Sequence, residues 1–303
     1  MDPRKVLLIG GNGFVGGWVA SRLAEDRIAA VVPMRSQAQL RWLDAAKNAA
    51  FPQADVHDPI ALADIMRGVD AVINLVGILH DRDTSAPFGR RFAAAHVELP
   101  KKIVAAMRQT GVRRLAHISA LRADAGAPSA YLRSKAAGEA VLLEAACDLD
   151  VTIFRPSVIF GANDVFLNRF AALLRVFPVL PVGGAEALFQ PVYAGDVAGA
   201  IVDALARPET FGKIYELGGP QVYTLRQLLA YTARLIGKRR SIIALPGPLA
   251  RLQAHLLGLL PNPPMSPDNL RSMTLESVVD GRHNYPGWQP TALESVVPGY
   301  LAR

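Results

Sequence analysis

The sequence predicts an α/β protein built on a parallel sheet wound in both directions, with a smaller C-terminal lobe, and three observations predict it. Lys5-Val6-Leu7-Leu8-Ile9 is a short apolar run. Gly10-Gly11-Asn12-Gly13-Phe14-Val15-Gly16-Gly17 follows at once. From there to about residue 160, apolar runs of strand length alternate with amphipathic stretches of helix length. Continuous apolar strands need helices on both faces of their sheet, and right-handed crossovers then give a Rossmann-type doubly wound fold.

The elements follow in order. A strand over 5–9 leads through the glycine turn into a helix that opens at about Phe14 and runs to 26. Strands are expected over 29–32, 71–77, 115–119 and 151–155, the last closed by Pro156. Helices are expected over 61–67, over 99–111 with Gly111 as the stop, and over 131–146. From Gly161 the rhythm loosens: a helix over 166–177, a Pro/Gly-rich loop, then a strand-like start and helix over 192–205. Beyond Gly218 leucine and proline dominate without strand–helix alternation. Residues 1–160 plus 190–217 are therefore read as a dinucleotide-binding domain, with 192–218 partly rejoining the sheet. Residues 161–189 plus 218–303 are read as the smaller lobe.

Composition narrows the field. At 303 residues, 51% hydrophobic and 19% charged, the chain has ample core material. The single cysteine, Cys147, excludes an internal disulfide and suits a cytoplasmic setting; its apolar helical surroundings read as a packed thiol. The early first strand leaves no room for a leader peptide. The apolar stretch 244–264 carries Arg251, His255 and five prolines, which argues against a spanning helix. Its leucines are amphipathic in part, as expected of lobe packing, a lid, a partner surface or a bilayer surface. The net charge of +7 is scattered, as in Arg90-Arg91, Arg113-Arg114 and Lys238-Arg239-Arg240, which reads as solvated surface or attraction to an anionic partner. No nucleic-acid module is present, the six histidines show no metal-ligand spacing, and no G-x-S-x-G elbow exists.

Two features carry chemistry. Gly10, Gly11, Asn12, Gly13, Phe14, Val15 and Gly16 form a strand–turn–helix in which backbone N–H groups and a helix N-terminus can meet a pyrophosphate. Tyr131 and Lys135 stand four apart on one helix face, so a phenol and an ammonium can address one ligand; the ammonium is expected to favour phenolate, and Lys135 can donate to ribose hydroxyls. After the second strand, Val32-Pro33-Met34-Arg35-Ser36 offers no acid for a ribose 2′-OH. Arg35 can instead pair with a 2′-phosphate, which favours NADP(H) over NAD(H). Asn74 to Gly77, including Leu75 and Val76, would pass beneath the adenosine side.

Gly10/Gly13/Gly16, Asn74-Leu75-Val76-Gly77, Tyr131/Lys135 and Arg155-Pro156-Ser157 together resemble the short-chain dehydrogenase/reductase superfamily, in its extended or atypical branch. The resemblance implies that Tyr131 is the acid/base and Lys135 the ribose-orienting residue. It also implies that Asp55 and Val56 border the adenine and that Ser119, Pro156, Ser157 and Val158 belong to the cofactor's surroundings. The chain departs from the pattern twice: Ala120 stands where a substrate-polarising hydroxyl is usual, Ser119 facing elsewhere, and His96 replaces an asparagine that supports the lysine. Asp196 resembles a structural acid of this branch.

The segments 131–139, 156–161, 166–170 and 190–197 are more closely similar to the nucleotide-binding accessory subunit (alpha subcomplex subunit nine) family of respiratory complex I and its bacterial relatives. That resemblance implies NADP(H) binding in a structural or redox-sensing role, or a quinone-linked one. It also implies association with complex I or a membrane surface, peripheral to the inner membrane. Retention of Tyr131 and Lys135 keeps the other class open, an active reductase, dehydrogenase or epimerase.

Overall fold

Along the first strand, β1 (Lys5–Ile9), Val6 and Leu8 enter one core while Leu7 and Ile9 enter another, and all four are fully buried. A strand with no polar face must be covered on both sides. The computed structural model, which describes residues 3–35, 48–83, 85–261 and 263–302, shows how. The chain continues through α1 (Phe14–Glu25), β2 (Ala29–Val31), β3 (Ala49–Ala50), α2 (Pro59–Met66), β4 (Ala71–Asn74), α3 (Arg90–Ala93), a π turn (Ala94–Glu98), α4 (Leu99–Thr110), β5 (Arg114–Ile118), α5 (Ala130–Ala145) and β6 (Asp150–Pro156). It then forms β7 (Ile159–Phe160), α6 (Phe166–Val176), β8 (Val179–Val182), β9 (Leu188–Phe189), β10 (Val192–Tyr193), α7 (Ala194–Ala204) and β11 (Lys213–Leu217). The last elements are β12 (Tyr223–Thr224), α8 (Leu225–Leu235), β13 (Ser241–Ala244), α9 (Gly247–Gly258), α10 (Pro267–Ser272), α11 (Leu293–Val296) and α12 (Pro298–Leu301).

Seven strands form one parallel sheet in the order β11-β6-β5-β4-β1-β2-β3. The chain winds outward from β1 to β3, then returns to the other side of β1 as β4 and proceeds through β5 and β6 to β11. The direction of winding reverses between β1 and β4, which opens a crevice at their carboxyl ends. Helices α1 and α7 cover one face, and α2, α4 and α5 the other. Local chemistry sets the boundaries: Asp58 caps α2 ahead of Pro59, and Gly111 ends α4 in the left-handed region at φ 78°.

The remaining elements build a second set of cores. Leu167 and Ala171 of α6 meet Leu228 of α8 and Leu293, Val297 and Leu301 from the C-terminus; Leu174, Leu225 and Leu229 form a neighbouring cluster. Here the structure corrects the sequence reading, because strand–helix pairs do recur beyond Gly218 as β12–α8 and β13–α9. Their strands are only two and four residues long, too short to register as periodic runs. Residues 284–288 also pack back on the sheet: Tyr285 joins the core beside α7, and Asn284 bridges to Glu216 of β11.

Two further expectations are corrected. Cys147 is exposed, because α5 ends at Ala145 and Leu149 takes the buried position beyond the turn. Arg114, one of a pair read as solvated, is 6% exposed; it donates to the Ala204 and Asp150 carbonyls at 2.6 Å each and to Thr152 Oγ1 at 2.9 Å. Burial lowers its guanidinium to about 10. Residues 90–98, passed over in the sequence, are helical and carry His96.

Candidate functional site

The glycine turn is held by close packing. Gly10 adopts φ +83°, and a side chain there would meet the backbone of Leu75 and Val76 at 3.1 Å. Gly11 is wedged against Val32 and Leu8, and Gly16 sits on Gly11, which brings α1 down onto the end of β1. Gly13 differs: its only near neighbour is Gly10 O at 3.3 Å, and it is exposed at the N-cap of α1. The amides of Phe14, Val15 and Gly16 at the start of α1 have no hydrogen-bond acceptor among the described residues, and Asn12, Phe14 and Val15 are half-buried.

The segment after β4 continues this wall. Asn74 donates from Nδ2 to His117 Nδ1 (3.1 Å) and accepts from the amide of Val76 (3.2 Å), while Leu75 donates its amide to Ile9 O (2.9 Å). Gly77 follows, exposed, and a side chain there would meet Lys135 Nζ at 3.2 Å. Residues 10, 75–77 and 135, distant in sequence, thus form one continuous surface along the switch point.

Helix α5 sets the far end. Ser129 caps it, accepting from the amide of Leu132 (3.2 Å), and Asp268 of α10 accepts from the amides of Ala130 (2.8 Å) and Tyr131 (3.0 Å). One turn past Lys135, Glu139 pairs with Arg155 of β6 (2.8 Å to Nε), raising the arginine above its ordinary value. Gly138 packs on His96 O, where any side chain would overlap. Lys135, 2% exposed, donates to Ile118 O (3.1 Å), and desolvation brings its ammonium down to about 8, opposed by the Glu139 charge. His96 Nε2 accepts from the amide of Ile78 (3.1 Å), so Nδ1 carries the proton and donates to Ser134 Oγ (2.8 Å), which donates to Tyr131 O (2.7 Å). Burial and the neighbouring Lys135 charge hold His96 neutral, lowered to about 2, and lower His117 likewise.

Tyr131 lies at the mouth. Its ring meets His96 edge-on at 5.7 Å and Phe92 at 6.1 Å, and it packs in an apolar cluster with Ala120, Ala127 and Leu275. Burial pushes the phenol above its ordinary value. This corrects the expectation that Lys135 would favour phenolate: one ammonium N–H is directed at Ile118 O, and the phenol's surroundings are apolar. Ser119 is buried, its amide on Phe154 O (2.7 Å) and its hydroxyl without a partner among the described residues.

The other expected positions divide. Arg35 is exposed just past Met34, which bridges to Gln53; Ser36 lies outside the described residues. Asp55 is exposed and accepts from the amide of His57 (2.9 Å), while Val56 packs on the α2 side of the core. Pro156 ends β6. Ser157 departs from a ligand-facing reading, because its hydroxyl donates to Ser277 O (2.8 Å) and its amide to Leu217 O (2.9 Å). Val158 accepts from the amide of Val192 (3.0 Å). Asp196 is a structural hydrogen bonder, accepting from the amide (2.6 Å) and hydroxyl (2.9 Å) of Thr291. Sequence reasoning missed Asp268 and Arg122, whose guanidinium donates to the carbonyls of Glu276 (2.9 Å) and Val278 (2.8 Å). It also missed that Glu216, Asp280 and His283 gather ligand-type atoms across separate segments. Their contacts are mutual, Asp280 donating its amide to Glu216 (2.9 Å) and His283 Nδ1 lying 3.4 Å from Asp280.

Unpaired amides at a helix N-terminus suit a diphosphate, and a buried ammonium beside an exposed glycine suits ribose hydroxyls. The residues present therefore fit a nicotinamide dinucleotide. Among the described residues, no helix is long and apolar enough to cross a membrane.

Comparison with known proteins agrees with this geometry. A profile of the NAD dependent epimerase/dehydratase family matches residues 6–218. The chain is 32% identical to NADH dehydrogenase (ubiquinone) 1 alpha subcomplex subunit 9, mitochondrial, of Mus musculus, over 95% of this chain and 77% of the mouse protein. It is 31% identical to the Arabidopsis thaliana protein of that name, over 90% of this chain and 70% of the relative. A crystal structure of DesIV, a dTDP-glucose 4,6-dehydratase from Streptomyces venezuelae with NAD and TYD bound, superposes with a TM-score of 0.73. It shares 21% identity and covers 98% of this chain and 95% of that one, a likeness of fold.

Proposed function

Since the chain belongs to the NAD dependent epimerase/dehydratase family, we propose that it holds a nicotinamide dinucleotide, NADP(H) in preference to NAD(H), as a non-turnover accessory protein of a respiratory assembly. In this reading the amides of the Gly10–Gly16 turn receive the diphosphate and Arg35 a 2′-phosphate. Asp55 and Val56 lie at the adenine end, and Leu75 to Gly77 line the path to Lys135. Bound there, the cofactor would supply hydride chemistry.

One observation carries the accessory reading: the reactive end is closed by apolar packing. Tyr131 shares a cluster with Ala120, where a substrate-polarising hydroxyl is absent, and with Leu275 from the C-terminal lobe. Both nitrogens of His96 are occupied within the protein, which leaves it no means to hold a proton-carrying water against Lys135. The segment bearing Leu275 is tied down by Arg122 on Glu276 and by Ser157 on Ser277. A bound dinucleotide would then stabilise the fold by mass action, by roughly 3 kcal/mol at a hundredfold excess over Kd.

A second reading, an active reductase, dehydrogenase or epimerase, is favoured by the shared face of Tyr131 and Lys135 and by the ammonium's fall to about 8. Protein loaded with NADPH and offered quinones, aldehydes and nucleotide sugars separates the two. Unchanged nicotinamide absorbance, with binding retained in Tyr131→Phe, is expected. Oxidation that disappears in Tyr131→Phe would establish the enzyme.

A further inference from the structure

At the outer edge of the sheet, Glu216 is a buried carboxylate without an ion-pair partner among the described residues. It lies in β11, 5% exposed, and Oε2 accepts from the amide of Asp280 (2.9 Å). Oε1 has no hydrogen-bond partner among the described residues. Arg155, the neighbour of Glu216 across the β11–β6 pairing, is held by Glu139 through Nε (2.8 Å) and a terminal nitrogen (2.5 Å). A carboxylate buried this deeply calls for a paired charge or a metal ion. Nor is it sealed away, because Glu216 lines a cavity of about 250 Å³ with Gly218, Tyr285 and Trp288.

Two further donors converge on it. Residues 279–288 fold back along β11: His283 O accepts from the amide of Glu216 (2.8 Å), and Trp288 Nε1 donates to Gly218 O (2.9 Å). This brings Asp280 and His283 against Glu216, and one ligand-type atom from each of the three lies within 4.8 Å of the other two. His283 Nδ1 stands 3.4 Å from Asp280 Oδ1, at the long limit of a hydrogen bond. Two ligands of one tetrahedral ion, each about 2.0–2.2 Å from it, are separated by about 3.3–3.6 Å. Asp280 Oδ1 also accepts from the amide of Arg282 (2.7 Å), and Oδ2 has no hydrogen bond among the described residues. The side chains of Asp280 and His283 are 30% and 49% exposed, so an ion can reach them from solvent. An imidazole with two carboxylates is a donor set for transition-metal dications, whereas magnesium and calcium favour oxygen alone.

We propose that Glu216, Asp280 and His283 bind a divalent transition-metal ion of the zinc kind, with water from the cavity completing its coordination. The ion clamps residues 279–288 onto the edge of the sheet. Since β11 stands three places from β4 in the strand order, the site is separate from the dinucleotide crevice. The inference goes beyond the dinucleotide reading and does not depend on it.

Titration calorimetry of the untagged full chain, stripped with chelator and then offered Zn²⁺ or Mg²⁺, tests it. One equivalent of Zn²⁺ is expected to bind, far more tightly than Mg²⁺. His283→Ala should weaken Zn²⁺ at least about tenfold, since residues that merely support a metal ligand already contribute that factor. Glu216→Gln, which keeps the side chain's shape, should weaken it likewise, whereas His255→Ala, at an exposed histidine elsewhere, should not. Zn²⁺ at a hundredfold excess over Kd should raise the wild-type melting temperature by about 5 °C and leave that of His283→Ala unmoved. His283 is exposed, so its variant folds and keeps its NADPH affinity, which separates failure here from failure of the dinucleotide reading. Wild-type protein without saturable Zn²⁺ binding would overturn the proposal. So would wild-type Zn²⁺ affinity in His283→Ala, or an equal loss in His255→Ala.

Discussion

Alanine at Gly13 and alanine at Gly16 should have opposite consequences. At Gly16 a Cβ would lie 2.5 Å from Gly11 Cα, and relief requires α1 to lift from β1. Overpacking costs about 1–3 kcal/mol, and a rigid backbone neighbour puts this case at the upper end. In a chain of 303 residues that lowers the melting temperature by roughly 5 °C. At Gly13 the backbone is ordinary (φ −82°, ψ 178°) and the nearest atom is Gly10 O at 3.3 Å. The weaker N-cap and the stiffer unfolded chain offset each other, leaving a change of about 0.5 kcal/mol or less. Yet the new methyl stands where a diphosphate would approach the amides of α1. A hydrogen bond to a charged oxygen contributes about 1.5–3 kcal/mol, so losing one weakens binding by roughly ten- to a hundredfold. Scanning fluorimetry and NADPH titration calorimetry on both variants give the two numbers. Wild-type NADPH affinity in a folded Gly13→Ala variant would refute the reasoning.

Three other perturbations are equally specific. Arg35→Ala should weaken NADPH by about 1–3 kcal/mol and leave NADH nearly unchanged in parallel titrations; equal losses would remove Arg35 from the 2′-phosphate site. Lys135→Met should raise the melting temperature at neutral pH while reducing NADPH affinity, because a desolvated ammonium is removed. The lysine's proton is released at about 8 in the folded chain and at its ordinary 10.5 in the unfolded one. Wild-type stability relative to Lys135→Met should therefore be flat below pH 8 and climb between pH 8 and 10.5; a constant difference in urea titrations across that window would contradict it. Arg114→Ala should cost roughly 3 kcal/mol or more in chemical denaturation, since it leaves buried carbonyls of Ala204 and Asp150 without a donor. A loss below about 1 kcal/mol would contradict that.

Much of the sheet was legible because its strands announce themselves: Val6 to Ile9 and Ala71 to Asn74 are buried on both faces and are apolar but for the terminal Asn74. The glycine turn was legible because Gly10 and Gly16 answer local demands, a positive φ and a close helix approach. Less visible were ties between residues far apart and of ordinary type. Asp268 on the N-terminus of α5, Arg122 on Glu276 and Ser157 on Ser277 span 120 to 154 residues in sequence, and none has a spacing signature. Lys135 and His96 could be named from the helix and the departure at residue 96, but not their environment. Whether the ammonium lowers the phenol depends on where Nζ points, and it points to Ile118 O. Cys147 was misplaced for a local reason, because α5 ended two residues before it.

The most direct test is a crystal structure of the protein grown with saturating NADPH. The account predicts density along the carboxyl ends of β1 and β4, with the diphosphate on the amides at the start of α1 and a ribose against Lys135. A crevice without nucleotide, or NADPH bound elsewhere on the molecule, would contradict it.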